Sequence, residues 1–551
     1  MPYWDEWETA KLLVSVHDGS ATFGDLFALH NEHRILFPNM FIVIAAKLTQ
    51  WNVKYLMCSS IAGAAIAAIG LFQLTRFDSR FSLSERLGLL VAMNVLLFTP
   101  NQPDSWLFGL QVVNYFVVVC ISLSLLVCYL TIPIEAKVAL CIGLATIGTF
   151  SFANGVAIWI VLSPLLAWKH WRELNKKRYL IAIWIASFAL NEILYFFDYR
   201  KPAGHPDPVI NPIKFVKFIF VLLGAPLGAG FTHATVISCA IGVVLAGVFV
   251  AACIYIFLQH RVSASQMNYH EINANLLECT AGWIGLGTFA LIAASIITIG
   301  RAGFGAEAAL PSRYMTFPVL LPVALIPLLA IILRDAAQRN PFLFRPLRSL
   351  FAIFVATILG LNMIHISQSV GQFKTKYAER LRAKAALAFI NVSPDPESLW
   401  SSVYPDVVLL KERANKLNRV GYLTPGLVTS PRIGILDGTV PNADYGSFEP
   451  AATNGNEIVI SGWAILPHRG EPADAVIISR EDSSGAPAAF GFARVCIERT
   501  DIATNLGKPE LALCGWKYVL PAADGARARI SAWAYDALSN QLFRLAAPVS
   551  N

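Results

Sequence analysis

The chain has 551 residues, of which 56% are hydrophobic and only 14% charged, and its mean hydropathy is +0.55. Soluble domains carry roughly 25% charged residues, so this composition excludes an ordinary soluble enzyme, a disordered protein and a coiled coil, and points to a polytopic membrane protein. The net charge of +7 is what basic residues flanking membrane helices leave behind; with no Cys/His zinc spacing, P-loop or dinucleotide fingerprint, it predicts no nucleic-acid partner.

The first predicted element is the acidic string Trp4-Asp5-Glu6-Trp7-Glu8. Tryptophan is ordinary at a membrane boundary, where the acids would be solvated; a carboxylate held in a cleft there would act as a general base or metal ligand. Next comes His30-Asn31-Glu32-His33-Arg34. On a helix, His30 would share a face with His33 and Arg34. A helix cap needs one polar residue and not five, so the stretch reads as a polar substrate site, with metal binding or plain solvation as the alternatives. The segment 35–48 follows, apolar but short enough to be interfacial.

Spanning segments are predicted at 54–73, 87–99, 107–130, 135–150, 153–168, 178–197, 234–258, 281–300, 316–334 and 349–366, with soft ends. A further segment, 213–229, carries Lys214 and Lys217 at one end and Gly-Ala-Pro at the other, and reads as re-entrant or flat. Between the spans lie polar loops. One holds Gln102, Asp104 and Trp106; another holds Asn154, which could bond a sugar hydroxyl or merely turn the chain; a Pro-rich one runs from Tyr199 through His205 to Asp207. The loop 301–315 carries Arg301, Glu307, Arg313 and Tyr314. Arginine suits bidentate phosphate contacts, and a lipid headgroup supplies phosphate at that depth; snorkelling helix anchors are the plainer account. Asn191 and Glu192 are the intramembrane polar residues noticed beside a span end.

After 366 the chain turns polar. A helix is predicted over 367–391, another from PESLW at 396 through VVLLKERANKL, and proline and glycine punctuate 422–447. Short alternating strands then follow: EIVISGWAIL, ADAVIIS, AFGFARVCI, ARISAWAYDA and LFRLAAP, the pattern of a β-sandwich or small barrel. The predicted organisation is a mainly α membrane domain over 1–366, a helical connector over 367–431 and a β-sandwich-like domain over 432–551.

The basic loops at 74–87, 169–178 and 334–348 set these segments inside. Parity then holds if 35–48 and 213–229 do not cross, which places 1–53, 100–106, 151–153, 198–233, 301–315 and the tail outside, with nearly all the unusual polar residues. An outside N-terminus with no apolar helix before it leads to the expectation that one upstream helix is missing.

With the acidic motif in the first outer loop, an interfacial segment after it, about eleven spans once that helix is counted and an outer tail, the chain resembles the type-C glycosyltransferase superfamily. WDEW, HNEHRI and the SRYMTF stretch near 312–317 carry the likeness to a bacterial branch, over residues 1 to about 366. The resemblance implies an inner-membrane enzyme that takes a sugar from a polyprenyl-phosphate carrier and moves it to a glycan, lipid or protein acceptor on the periplasmic side. It implies Asp5 as general base with Glu6 beside it. Arg313 and Arg301 would take the phosphate, and His30, Glu32, His33, Arg34, Asp104, Asn154 and Tyr314 would line the substrate site. Mg or Mn held by Asp5, Glu6 and Glu32 would fit some members. The tail resembles β modules appended to surface-polysaccharide enzymes, carried by GWAILP and RTDIATNLGKPELALCGW. In that outer domain Cys496 and Cys514 are a disulfide candidate. A flippase for lipid-linked sugars, a polysaccharide polymerase and an acyltransferase are the alternatives.

Overall fold

The computed structural model describes residues 1–78, 81–201, 204, 211–263, 270–392, 403–433, 442–449, 452–454, 456–521 and 530–546. In chain order the helices are α1 (Ala10–His17), α2 (Phe23–Phe27), α3 (Leu36–Thr49), α4 (Lys54–Leu74), α5 (Leu83–Leu97), α6 (Pro103–Leu107), α7 (Val112–Val127), α8 (Ile134–Thr149), α9 (Val156–Lys176) and α10 (Arg178–Phe196). They continue with α11 (Pro212–Gly228), α12 (Ala234–Ser263), α13 (His270–Arg301), α14 (Leu320–Arg339), α15 (Phe344–Ala388), α16 (Val407–Arg419) and α17 (Thr500–Asn505). The chain divides into two compact units. A helical unit comprises Ala21–Ala45 and Val53–Gln372; a tail unit comprises Met1–Ser20, Ala46–Asn52 and Phe373–Asn551. The acidic string therefore groups with the tail, not with the apolar helices.

Each of the ten sequence-read spans falls on a helix of the helical unit. An apolar run without water must satisfy its backbone internally, and a helix does so. Among the described residues, seven helices are long and apolar enough to cross a membrane: Lys54–Phe77, Gly109–Val127, Arg178–Phe196, Ala234–His260, Leu276–Phe304, Leu320–Arg339 and Arg345–Ala388. The helices α5 and α8, with 15 and 16 residues, and α9, bent at His170, are not among the seven. Ser82 and Glu85 cap α5 reciprocally, the Ser82 amide donating to Glu85 Oε2 at 2.9 Å and the Glu85 amide to Ser82 Oγ at 3.3 Å, which satisfies two of the free donors at a helix start.

The segment 213–229 forms α11, a helix of 17 residues, buried along its second half. It packs against α12 where both present glycine. A Cβ at Gly224 would lie 1.9 Å from the Ser238 carbonyl oxygen, and one at Gly242 1.9 Å from that of Phe220. Only glycine permits this backbone approach.

One helix, α15, runs for 45 residues, from the span read at 349–366 into the helix read at 367–391. The predicted turn of helix at PESLW lies outside the described residues, as do His205 and Asp207.

The strands are β1 (Leu29–His30), β2 (His33–Arg34), β3 (Asn442–Phe448), β4 (Ala452–Asn454), β5 (Glu457–Ala464), β6 (Ala475–Glu481), β7 (Pro487–Ala493), β8 (Val495–Ile497), β9 (Gly515–Pro521), β10 (Ile530–Asp536) and β11 (Gln541–Ala546). The tail strands form one sheet in the order β7-β6-β10-β11-β3-β5-β9-β8, with β4 on β5. All pairings are antiparallel except β11 with β3. The described strands make a curled sheet. Its inward side chains, Ile460, Val476, Ile478, Trp516, Ala534 and Phe543 among them, build one core.

Cys496 and Cys514 are both free, which corrects the disulfide expectation. Cys514 is buried against Ile465 and Leu511, whereas Cys496 is exposed on β8.

At the β6–β7 turn, Asp482 accepts from the Ser484 hydroxyl at 2.6 Å, the Ser484 amide at 2.8 Å and the Ala486 amide at 3.1 Å. These bonds, Ser484's foremost, hold its pKa at about 2, below the unfolded value of about 3.9. A depressed acid stabilises the fold above the unfolded pKa and loses that stabilisation as pH falls through the folded one. The tail sheet is therefore expected to weaken between about pH 4 and about pH 2. Asp482→Asn should flatten that dependence in denaturant melts read by tryptophan fluorescence at pH 5 and pH 2.5. Equal steepness in the variant would remove Asp482 from the account.

Candidate functional site

In the tail unit, Trp4–Thr9 is a 3-10 turn that leads into α1. Its three acids are used differently. Glu6 is 2% exposed and accepts the Tyr3 amide at 2.7 Å, so it caps the turn. Glu8 takes both arms of Arg413, at 2.9 and 2.8 Å, and the Tyr404 hydroxyl. Burial pushes the Tyr404 hydroxyl up to about 12, with Glu8 adding to it. Burial alone would lower the pKa of Arg413, yet the Glu8 carboxylate outweighs it and the net shift is upward. Asp5 is half-buried and makes no hydrogen bond or ion pair among the described residues. Trp7 is fully buried, edge-on to Trp51.

In the helical unit the stretch 29–34 is a hairpin and not a helix. His30 pairs with His33 and Leu29 with Arg34. Asn31 sits at φ +53°, a left-handed conformation that asparagine tolerates and that a two-residue hairpin turn uses. The expected helical face of His30, His33 and Arg34 is thereby corrected: His30 faces His33 across the hairpin, and Arg34 faces away.

Arg34 is 4% exposed. It donates to the carbonyls of Tyr195 at 2.7 Å, Phe27 at 2.9 Å and Phe197, and its guanidinium lies 4.5 Å from the Phe27 ring centre. All three of its nitrogens donate to backbone, so it clamps the hairpin to the end of α10; burial lowers its pKa. Next to it, Glu32 forms an ion pair with Arg301, and His33 Nε2 stands 3.5 Å from the same Glu32 oxygen. The Tyr195 hydroxyl donates to the Glu32 carbonyl at 3.1 Å. The His33 ring lies 3.8 Å from that of Phe152. Arg301 closes α13, where a cation meets the negative end of the helix dipole. Tyr199 is close enough to respond to both charges: burial, then Glu32, raises its pKa.

The loop after Arg301 passes through 3-10 turns at Ala302–Phe304, Ala306–Ala309 and Ser312–Tyr314. The Ser312 hydroxyl donates to Asp104 Oδ2 at 2.7 Å and accepts the Asp104 amide at 3.1 Å. The Thr316 hydroxyl donates to Gln102 at 3.3 Å. Arg313 is exposed beside Asp104's partner, 5.2 Å from the ring centre of Tyr314. Asn154 is buried and donates to the Ala293 carbonyl at 2.9 Å, so its side chain joins α13 instead of facing a ligand.

Within this unit the structure thus brings Glu32, His33 and Arg301 together, and joins Asp104 to the loop that carries Arg313. No group of three His, Cys, Asp or Glu side chains able to hold a metal ion occurs among the described residues.

Sequence reasoning missed a buried polar network beside these loops. Asn362 Oδ1 accepts from Thr99 at 2.9 Å and from Asn101 at 2.9 Å, and the Ser369 hydroxyl donates to Asn101 at 3.2 Å. The signal was present: Asn362, His365 and Ser369 recur at helical spacing within an apolar run. Tyr195 was missed for a different reason, since an aromatic at a span end reads as an ordinary interface anchor. No protein-family model, curated protein or solved structure matches this chain.

Proposed function

We propose that the chain is a membrane glycosyltransferase that moves a sugar from a polyprenyl-phosphate carrier to a cell-envelope acceptor on the outer face. One observation carries the reading. The Glu32–His33–Arg301 constellation is half-buried, set against the Phe152 ring, and built where a hairpin meets the ends of apolar helices. Charge assembled at such an edge suits a ligand whose head is polar and whose tail stays in lipid.

In the proposed reaction the acceptor hydroxyl gives its proton to a carboxylate, the role that the resemblance implies for Asp5, and its oxygen attacks the anomeric carbon. The bond from that carbon to the phosphate oxygen breaks, the phosphate leaves with the electron pair, and the centre inverts. Exposed Arg313 offers its guanidinium to the departing phosphate as charge develops, while Arg301, already neutralised by Glu32, orients. Residues Glu32 and His33 contact sugar or acceptor hydroxyls.

Transfer from polyprenyl-phosphate sugar by the purified protein tests this. Arg313→Ala is expected to raise KM for the donor about 10- to 100-fold, the value of a charge-assisted contact. Donor-independent kinetics in the variant would dismiss Arg313 as the phosphate ligand. A flippase is the second reading, favoured by Asn191, buried in α10, and by a Glu192 carboxyl oxygen shielded from solvent without a partner; co-purified lipid-linked sugar without turnover would support it.

A further inference from the structure

We infer that the tail holds the acidic turn in its working position, with Arg413 and Tyr404 as positioning residues for Asp5. This rests on the proposed role of Asp5 as base. The contacts all lie within the tail unit. Arg413 grips Glu8 with two parallel bonds, at 2.9 and 2.8 Å, and also donates to the Tyr404 oxygen at 3.0 Å. The fork geometry fixes direction as well as distance. Glu8 stands three residues after Asp5 in a 3-10 turn, where side chains three apart eclipse. Fixing Glu8 therefore fixes the face that presents Asp5.

Two further contacts hold the start of the same turn. The Trp4 amide donates to the Val403 carbonyl at 3.1 Å, and the Arg380 guanidinium lies over the Tyr3 ring, 3.2 Å from its centre. Trp4 itself is held at φ +47°. A bulky residue stays in that region only where its surroundings over-determine it, and here the surroundings come from α15 and from the segment leading into α16. The helical part of the tail is thus more than a spacer for the β sheet: it is the mould for a turn too short to hold its own shape. Of the three acids, one caps, one anchors and one is left to react.

The test is kinetic and uses the full-length protein. Arg413→Ala is expected to lower kcat about 100-fold, the scale of a misplaced catalytic group, while KM for the polyprenyl-phosphate sugar changes less than about 2-fold. Tyr404→Phe should lower kcat less. Arg413→Lys, which keeps the charge but not the fork, should fall between Arg413→Ala and wild type. Exchange of the partners, Glu8→Arg with Arg413→Glu, should recover at least about 10-fold of the loss. A merely structural arginine would lower the amount of active protein without this split, so active-site titration accompanies each kcat. Trypsin cleavage after exposed Lys11 gives a readout apart from activity and should rise in Arg413→Ala. Wild-type kcat in Arg413→Ala beside an inactive Asp5→Asn overturns the positioning role and leaves the base role standing. Wild-type kcat in Asp5→Asn overturns the base role itself.

Discussion

Asp5→Asn is expected to lower turnover with a polyprenyl-phosphate sugar by about 100- to 10,000-fold, the range for loss of a general base, with little change in the binding of the donor. Asparagine keeps the shape and removes the proton acceptor. The neighbouring acids are the internal controls. Glu6 is committed to the Tyr3 amide, and Glu6→Gln keeps an oxygen that accepts from it, so this variant should lose little stability and no chemistry. If Glu6→Gln were the inactive variant and Asp5→Asn the active one, the base would be Glu6.

The second large effect is on folding. Gly242→Ala is expected to destabilise the helical unit by about 3 kcal/mol, and Gly224→Ala by a similar amount, because an added methyl meets a backbone carbonyl at 1.9 Å in each case. A side chain in the way can rotate; a carbonyl in a helix cannot, so α11 and α12 must part along their length, at the upper end of what overpacking costs. The comparison is Gly88→Ala on the exposed side of α5, where a Cβ meets nothing within 4 Å and the helix gains propensity. Thermal unfolding in one detergent should separate the three, with Gly88→Ala at or above wild type. A melting temperature for Gly242→Ala within about 1 °C of wild type would mean the helices do not cross this closely.

How much of this was legible depends on what each residue answers to. The long apolar runs were readable because backbone in lipid leaves few options, and all ten became helices. The segment that became α11 was read as ambiguous since Lys214, Lys217 and Pro226 weaken a hydropathy signal without preventing a helix. Five of the tail strings were readable by alternation, but β9, with the sequence GWKYVLP, was not: its lysine and proline hide a strand that pairs with β5 over seven residues. The residues of the candidate site could be named from the sequence, but their arrangement could not. Spacing alone allowed His30-Asn31-Glu32-His33-Arg34 to be a helix, and the decision rests on one backbone angle at Asn31. Nor could spacing reveal that Arg34 and Asn154, polar residues placed as a ligand site would need them, spend their bonds on main-chain carbonyls instead. That outcome depends on residues far along the chain.

The distance has a consequence in time. Two of the carbonyls that receive Arg34 belong to residues 161 and 163 positions later, and the arginine that pairs with Glu32 comes 269 positions later. At roughly 5–20 residues per second of synthesis, the hairpin waits on the order of 10–30 s for its clamp and longer for its ion pair. The hairpin leaves the ribosome early and is completed late. A chain stalled before α10 would leave the Arg34 guanidinium without these two acceptors.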